Sequence, residues 1–154
     1  TEPIAGRIIE VPEDAEQAEV YRNPRSGFVA YVPVGSVEKG RDLVRTGGAR
    51  TVGNRFVQGK TTPCITCHGL DLMGVDEAGV SLVPPIVGRS PSYIARQMWD
   101  IQQGTRNAES VQLMKLAISK LTPEDILAIA AYVSSLPPVD VPSQDNQPVA
   151  SLQQ

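Results

Sequence analysis

Cys64-Ile65-Thr66-Cys67-His68 is the stretch on which the reading of this chain turns. Two thiols separated by two residues and followed at once by an imidazole form the C-x-x-C-H pattern of covalent haem attachment. The thiols can add across the two vinyl groups on one edge of a porphyrin. The histidine then lies under the ring with a nitrogen positioned to bind iron. These residues are also exclusive, since the 154-residue chain has no other cysteine and no other histidine. Other readings fit less well. A thioredoxin-like redox pair wants a helix start inside a βαβ unit, which the flanks do not show. A closed zinc site needs about four ligands, more than these residues supply. A disulfide across two residues closes a tight, often strained ring.

Outside the motif, the composition is that of a soluble globular domain with extensions. Aromatic residues are scarce, with two Phe and one Trp, so a large flat apolar cofactor would help fill the core. The formal net charge is −3, which argues against nucleic acid as a partner, because that wants a basic stripe. No run of about 18 apolar residues marks a membrane span. The opening Thr1-Glu2-Pro3 lacks a leader pattern and reads as a mature or trimmed chain. Covalent haem attachment implies export to an oxidising compartment, and the bacterial periplasm is the expected location.

Working outward from the motif, three parts are expected: an extension over 1–35, a haem-binding domain over 36–136 and a flexible tail over 137–154. In the extension, Arg7 to Val11 and Phe28 to Val32 favour β-structure, with an acidic stretch and the turn-forming Asn23-Pro24 between them. They read either as two paired segments laid over the domain or as a loose arm. Ser36 is expected to cap a first helix that ends at Thr46 before Gly47. Residues 47–63 read as a loop and 70–90 as an irregular wrap around Pro84-Pro85. A helix is expected from Ser90-Pro91 to Gln103, stopped by Gly104, with Ile94, Met98 and Ile101 on one stripe. A polar loop over 105–111 and a short helix near Leu113–Lys120 follow. Thr122-Pro123-Glu124-Asp125 then gives a cap, a proline at the first helical position and an acid at the third, a strong helix start. Pro137-Pro138 ends that helix.

Iron in such a site has two axial positions. His68 takes one, and no second histidine exists for the other. Methionine is the natural candidate, and there are three. Met73 follows His68 too closely to reach the opposite face easily. Met98 lies mid-stripe in a helix, where its ordinary role is core packing. Met114 lies between helices, where the chain can bring a thioether onto iron, and it is the expected ligand. The competing reading is a core methionine beside an open or lysine-ligated iron.

The stretch from about Ser36 to Leu136 resembles a class I c-type cytochrome of the small bacterial single-haem kind. The residues that carry the likeness are Gly40, the attachment motif with Gly69, Pro84-Pro85-Ile86-Val87-Gly88, Tyr93, Arg96-Gln97, Gly104-Thr105-Arg106, Leu113-Met114 and Ala130 to Leu136. The resemblance implies an all-α fold around one covalent haem c and its iron. In such a fold the first and last helices cross with Gly40 at close contact and Tyr132 opposite. It also implies that the Pro84 carbonyl accepts the N–H of His68, and that Met114 is the axial methionine. The interval from Leu43 to Cys64 is longer than the family usually shows.

The function expected from these features is periplasmic one-electron transfer, without catalysis. Its partners would be redox proteins, a dehydrogenase as donor and an oxidase or reductase as acceptor. The acidic balance points to a partner with a basic docking surface. Two other classes stay open. One is a cytochrome subunit held permanently on a larger oxidoreductase. The other is a haem enzyme or sensor with an open sixth position.

Overall fold

The computed structural model describes residues 5–24, 26–77 and 80–137. The tail expected over 137–154 lies, apart from Pro137, outside the described residues. Three longer helices form the body: α1 (Ser36–Thr46), α3 (Pro91–Gln103) and α5 (Pro123–Ser135). Two short ones serve the site, α2 (Ile65–His68) and α4 (Gln112–Ile118). α5 packs against both α1 and α3. The shared core holds Leu43, Val44, Ile94, Met98, Ile129 and Val133. Met98 is thus a packing residue, only 4% exposed.

The helix boundaries follow local chemistry. Ser90 accepts the amide of Tyr93 at 3.2 Å, and Gly104 closes α3 at φ +79°. Thr122 and Asp125 cap α5 reciprocally, the Asp125 amide donating to Thr122 Oγ1 at 3.3 Å and the Thr122 amide to Asp125 Oδ2 at 3.1 Å. One cap differs from expectation. Gly35, not Ser36, is the N-cap of α1. The chain turns through Gly35 at φ +86°, so Ser36 already has helical backbone and its hydroxyl caps nothing.

α1 and α5 cross where Gly40 faces Ala128 and Tyr132. A Cβ on Gly40 would lie 1.9 Å from the Ala128 carbonyl oxygen and 2.8 Å from Tyr132 Cβ. Only glycine admits so close an approach. Asp125, fully buried, ties the same corner together. Its Oδ1 pairs with Lys39 of α1 at 2.8 Å and its Oδ2 with Lys60, ahead of the attachment motif, at 2.8 Å. Burial alone would raise this carboxyl's pKa. The two ammonium groups and the Thr122 amide outweigh burial and hold the carboxyl well below the usual carboxylate range.

Among the described residues, three two-stranded antiparallel hairpins decorate the body. β1 (Ile9–Pro12) pairs with β2 (Phe28–Tyr31), so the extension's two β-favouring runs are paired. A turn of π-helix, Glu16–Val20, lies between them. Ile8 packs on the core, and Glu10 accepts the Ser92 hydroxyl at the start of α3. The other two hairpins correct the sequence expectation. Residues 47–63, expected as loop, contain β3 (Arg50–Val52) and β4 (Arg55–Val57), joined at Gly53-Asn54. The wrap over 70–90 contains β5 (Val75–Glu77) and β6 (Val80–Val83). Strands of three or four residues are too short for alternation to stand out from a polar background.

Candidate functional site

α2 is one helical turn, opened by Cys64 and closed by Gly69. The amides of Cys67 and His68 both reach the Cys64 carbonyl, at 3.2 and 2.9 Å. This turn places both sulfurs and the imidazole on a single short scaffold. The two sulfurs are separate thiols, Cys64 half-buried and Cys67 exposed. Burial pushes the Cys64 thiol up to about 11, so it is neutral near pH 7. Among the described residues no cluster of three or more His, Cys, Asp and Glu side chains could hold a metal ion.

His68 is buried, and its Nδ1 lies 2.9 Å from the Pro84 carbonyl oxygen. A carbonyl can only accept, so Nδ1 carries a proton, and in the neutral ring the lone pair then falls on Nε2. That is the state an iron-binding imidazole needs, and the bond fixes the ring and raises its basicity. The backbone around Pro84 is positioned by residues that sequence reading missed. Leu72 adopts φ +62° while 2% exposed, a strained conformation for a leucine. Its carbonyl accepts the amides of Ile86 and Val87 at 2.9 and 3.3 Å, which anchors the segment after Pro84-Pro85. Gly74, at φ +82°, lies so close that a Cβ would meet the Val83 carbonyl oxygen at 2.2 Å. The Gly74 amide also donates to the His68 carbonyl at 2.8 Å. A left-handed leucine leaves no signal in a single sequence, whereas Gly69 and Gly74 bracketing the segment were a legible hint of tight turns.

Met114 lies in α4, not in a loop, because a 3₁₀ turn at Glu109–Val111 leads directly into the helix. It is half-buried and packed against the core, while Leu113 and Leu116 beside it are 80% and 73% exposed. α4 is held from two sides. Thr61 Oγ1 donates to the Ala117 carbonyl at 2.7 Å, and Gln102 Nε2 donates to the carbonyls of Ile118 and Leu121 at 2.6 and 3.0 Å. Met73 is 38% exposed, and its amide donates to Asp71 Oδ1 at 3.1 Å. Two unpaired thiols and an imidazole on one helical turn therefore fit the attachment side of a haem c.

With this geometry in view, the likeness to known proteins is specific. Residues 56–137 match the family model described as cytochrome c, and the chain belongs to that family. The match starts inside the β3–β4 hairpin and leaves out α1, although α1 packs on α5 as the fold requires. Cytochrome c4 of Pseudomonas aeruginosa is 32% identical over 96 residues, covering 62% of this chain and 46% of that one. The thiosulfate dehydrogenase electron acceptor of Stutzerimonas stutzeri is 28% identical over 135 residues, covering 88% and 57%. The cytochrome c4 structure from Acidithiobacillus ferrooxidans superposes with a TM-score of 0.51 at 26% identity, covering 66% of this chain and 50% of that one. The chain thus spans about half the length of these relatives. It is a class I c-type cytochrome, and its Cys64 and Cys67 fit the attachment motif of a covalent haem c. Among the described residues no helix is long and apolar enough to cross a membrane.

Proposed function

We propose that this protein is a periplasmic one-electron carrier whose haem c is joined through Cys64 and Cys67, with iron held between His68 Nε2 and the Met114 thioether. Bound haem iron supplies the one-electron couple between ferric and ferrous states. The observation that carries the reading is the His68 Nδ1–H bond to the Pro84 carbonyl, which fixes the ring's orientation and leaves Nε2 as the nitrogen available to iron. The bracing of α4 by Thr61 and Gln102 supports the second ligand, because it restrains the helix that carries Met114. His68 and Met114 would hold the iron, and a nitrogen and a thioether donor together would favour its reduced state and keep oxygen and peroxide from it. Both features suit electron transfer over haem catalysis.

The domain bounds proposed are an arm over 1–35, a haem domain over 36–136 and a tail from 137. The relative from Stutzerimonas stutzeri is named as an electron acceptor of thiosulfate dehydrogenase. By that likeness the proposed donor is a periplasmic dehydrogenase, with an oxidase or reductase as the onward acceptor.

Substituting Met114→Ala in the holo-protein tests the ligand set. The expected product keeps its covalent haem, loses the far-red band of sulfur-ligated ferric iron, has a lower reduction potential and binds carbon monoxide at neutral pH. An unchanged spectrum and potential would exclude Met114 as the ligand. Carbon monoxide binding by the wild-type protein would favour an open-site enzyme or sensor instead.

A further inference from the structure

The net charge of −3 conceals a strong segregation of sign along the chain. Between Ile8 and Tyr21 there are five carboxylates and no lysine or arginine. Between Leu43 and Leu70 the reverse holds: Arg45, Arg50, Arg55 and Lys60 with no aspartate or glutamate. Two of these cations have partners in the body, Arg45 donating to the Tyr132 hydroxyl and Lys60 to Asp125. Arg50 and Arg55 form no ion pair among the described residues, and both lie on the β3–β4 hairpin.

The hairpin is exposed on both faces, every residue from Arg50 to Gln58 facing solvent. Phe56 is 69% exposed and Val52 58%. Single exposed apolar residues are ordinary, but this ribbon adds no burial to the core at all. It is nevertheless held firmly at its root. The amides of Lys60 and Thr61 both reach the Gly47 carbonyl, at 2.8 and 3.3 Å. Gly59 lies so close to that carbonyl that a Cβ would be 2.4 Å from its oxygen. Thr61 then bonds to Ala117 of α4, and Cys64 follows three residues later. The root of the ribbon is therefore bonded to α4 and runs directly into α2.

We infer that the β3–β4 hairpin is a docking finger for a redox protein with a carboxylate-rich face around an apolar centre. The inference rests on the electron-carrier reading above. In the antiparallel register Arg50 pairs with Val57 and Val52 with Arg55, so these four share one face of the ribbon. The arginines would meet carboxylates in forked geometry, while Val52 and Val57 supply the apolar contact between them. Local cations of this kind steer encounter even on an acidic protein, because charges more than about 8 Å away are largely screened at physiological salt. The finger thus calls for an acidic partner face, the opposite of what the overall charge suggests.

The test uses the intact holo-protein on gold electrodes coated with carboxylate-terminated or ammonium-terminated monolayers. Adsorbed mass is read on a quartz microbalance and electron transfer by voltammetry. The wild type is expected to bind the carboxylate surface at low salt, to leave it as salt rises and to give a reversible one-electron wave there. R50E/R55E is expected to lower carboxylate coverage about tenfold with its visible spectrum unchanged. R50Q/R55Q, which adds no acid, is expected to lower it less. Wild-type binding to the ammonium surface alone, or carboxylate coverage untouched by both variants, would overturn the docking role while leaving the carrier reading intact. A concentration-dependent dimer abolished by R50E/R55E would also overturn it, since the acidic arm of a second copy would then be the occupant. Adsorption without a one-electron wave on either surface would remove the carrier reading and the docking role together.

Discussion

Gly40→Ala separates packing from propensity, because the two predict opposite signs. In an isolated helix, alanine for glycine is worth about 1 kcal/mol of added stability. Here the new methyl would sit 1.9 Å from the Ala128 carbonyl oxygen. A tolerable C···O contact is about 3.3 Å, so α1 and α5 must part by roughly 1.4 Å at their crossing. The obstacle is backbone, so no side chain can rotate away. Separation would also loosen the packing of Leu43, Val44, Ile129 and Val133, all buried at or near this interface. Overpacking a close-fitted contact costs about 1–3 kcal/mol. Taking the upper end and subtracting the propensity gain leaves a net loss of about 2 kcal/mol. For a chain of this length, that lowers Tm by about 4–8 °C. Guanidinium and thermal unfolding of the ferric holo-protein, followed by far-ultraviolet circular dichroism, would measure it. A variant as stable as the wild type, or more stable, would show that the helices do not cross as closely as described.

Asp125→Asn removes the one carboxylate that pairs with both Lys39 and Lys60. The lysine side chains are 47% and 54% exposed and can be rehydrated, so the cost is expected at about 1–3 kcal/mol, below that of an ion pair broken deep in a core. The variant should also alter the acid limb. Asp125 has a depressed folded pKa, so its contribution is complete above the unfolded value near 3.9 and fades as pH falls below it. Wild-type stability should therefore drop on acidification below about pH 4 more steeply than that of the asparagine variant, and parallel slopes in pH-dependent denaturation would contradict this. Gly74→Ala forces a left-handed backbone on alanine and drives its methyl against the Val83 carbonyl. A loss of about 2–4 kcal/mol is expected, with a changed His68 Nδ1–H resonance in the reduced holo-protein as the local readout. An unshifted resonance would mean that Gly74 does not position Pro84.

Much of the architecture could be read from local chemistry. The Ser90 and Thr122 caps, the stops at Gly47 and Gly104, and the Gly40 contact each depend on residues near one another in sequence or on a single small side chain. The attachment motif was legible for the same reason, since its donors occupy one helical turn. The Pro84 carbonyl lies where the family resemblance implied, against His68. What escaped was long-range or very short. Asp125 was legible as a cap, but its pairing with Lys39 and Lys60 joins positions 86 and 65 residues apart. The Gly53-Asn54 pair was a usable hairpin signal, yet three-residue strands gave it no alternating flanks to confirm it. A whole-chain net charge averages an acidic arm with a basic finger and so describes neither.

Because the amides of Lys60 and Thr61 already seal the loop against Gly47, the ten residues from Ala49 to Gln58 form a closed side branch off the load path of the body. Their length and lettering can be exchanged without moving the scaffold beneath the cofactor. With the docking role inferred for the branch, such a chain would separate whom it meets from the voltage at which it works, and new clients could be acquired by rewriting the branch alone.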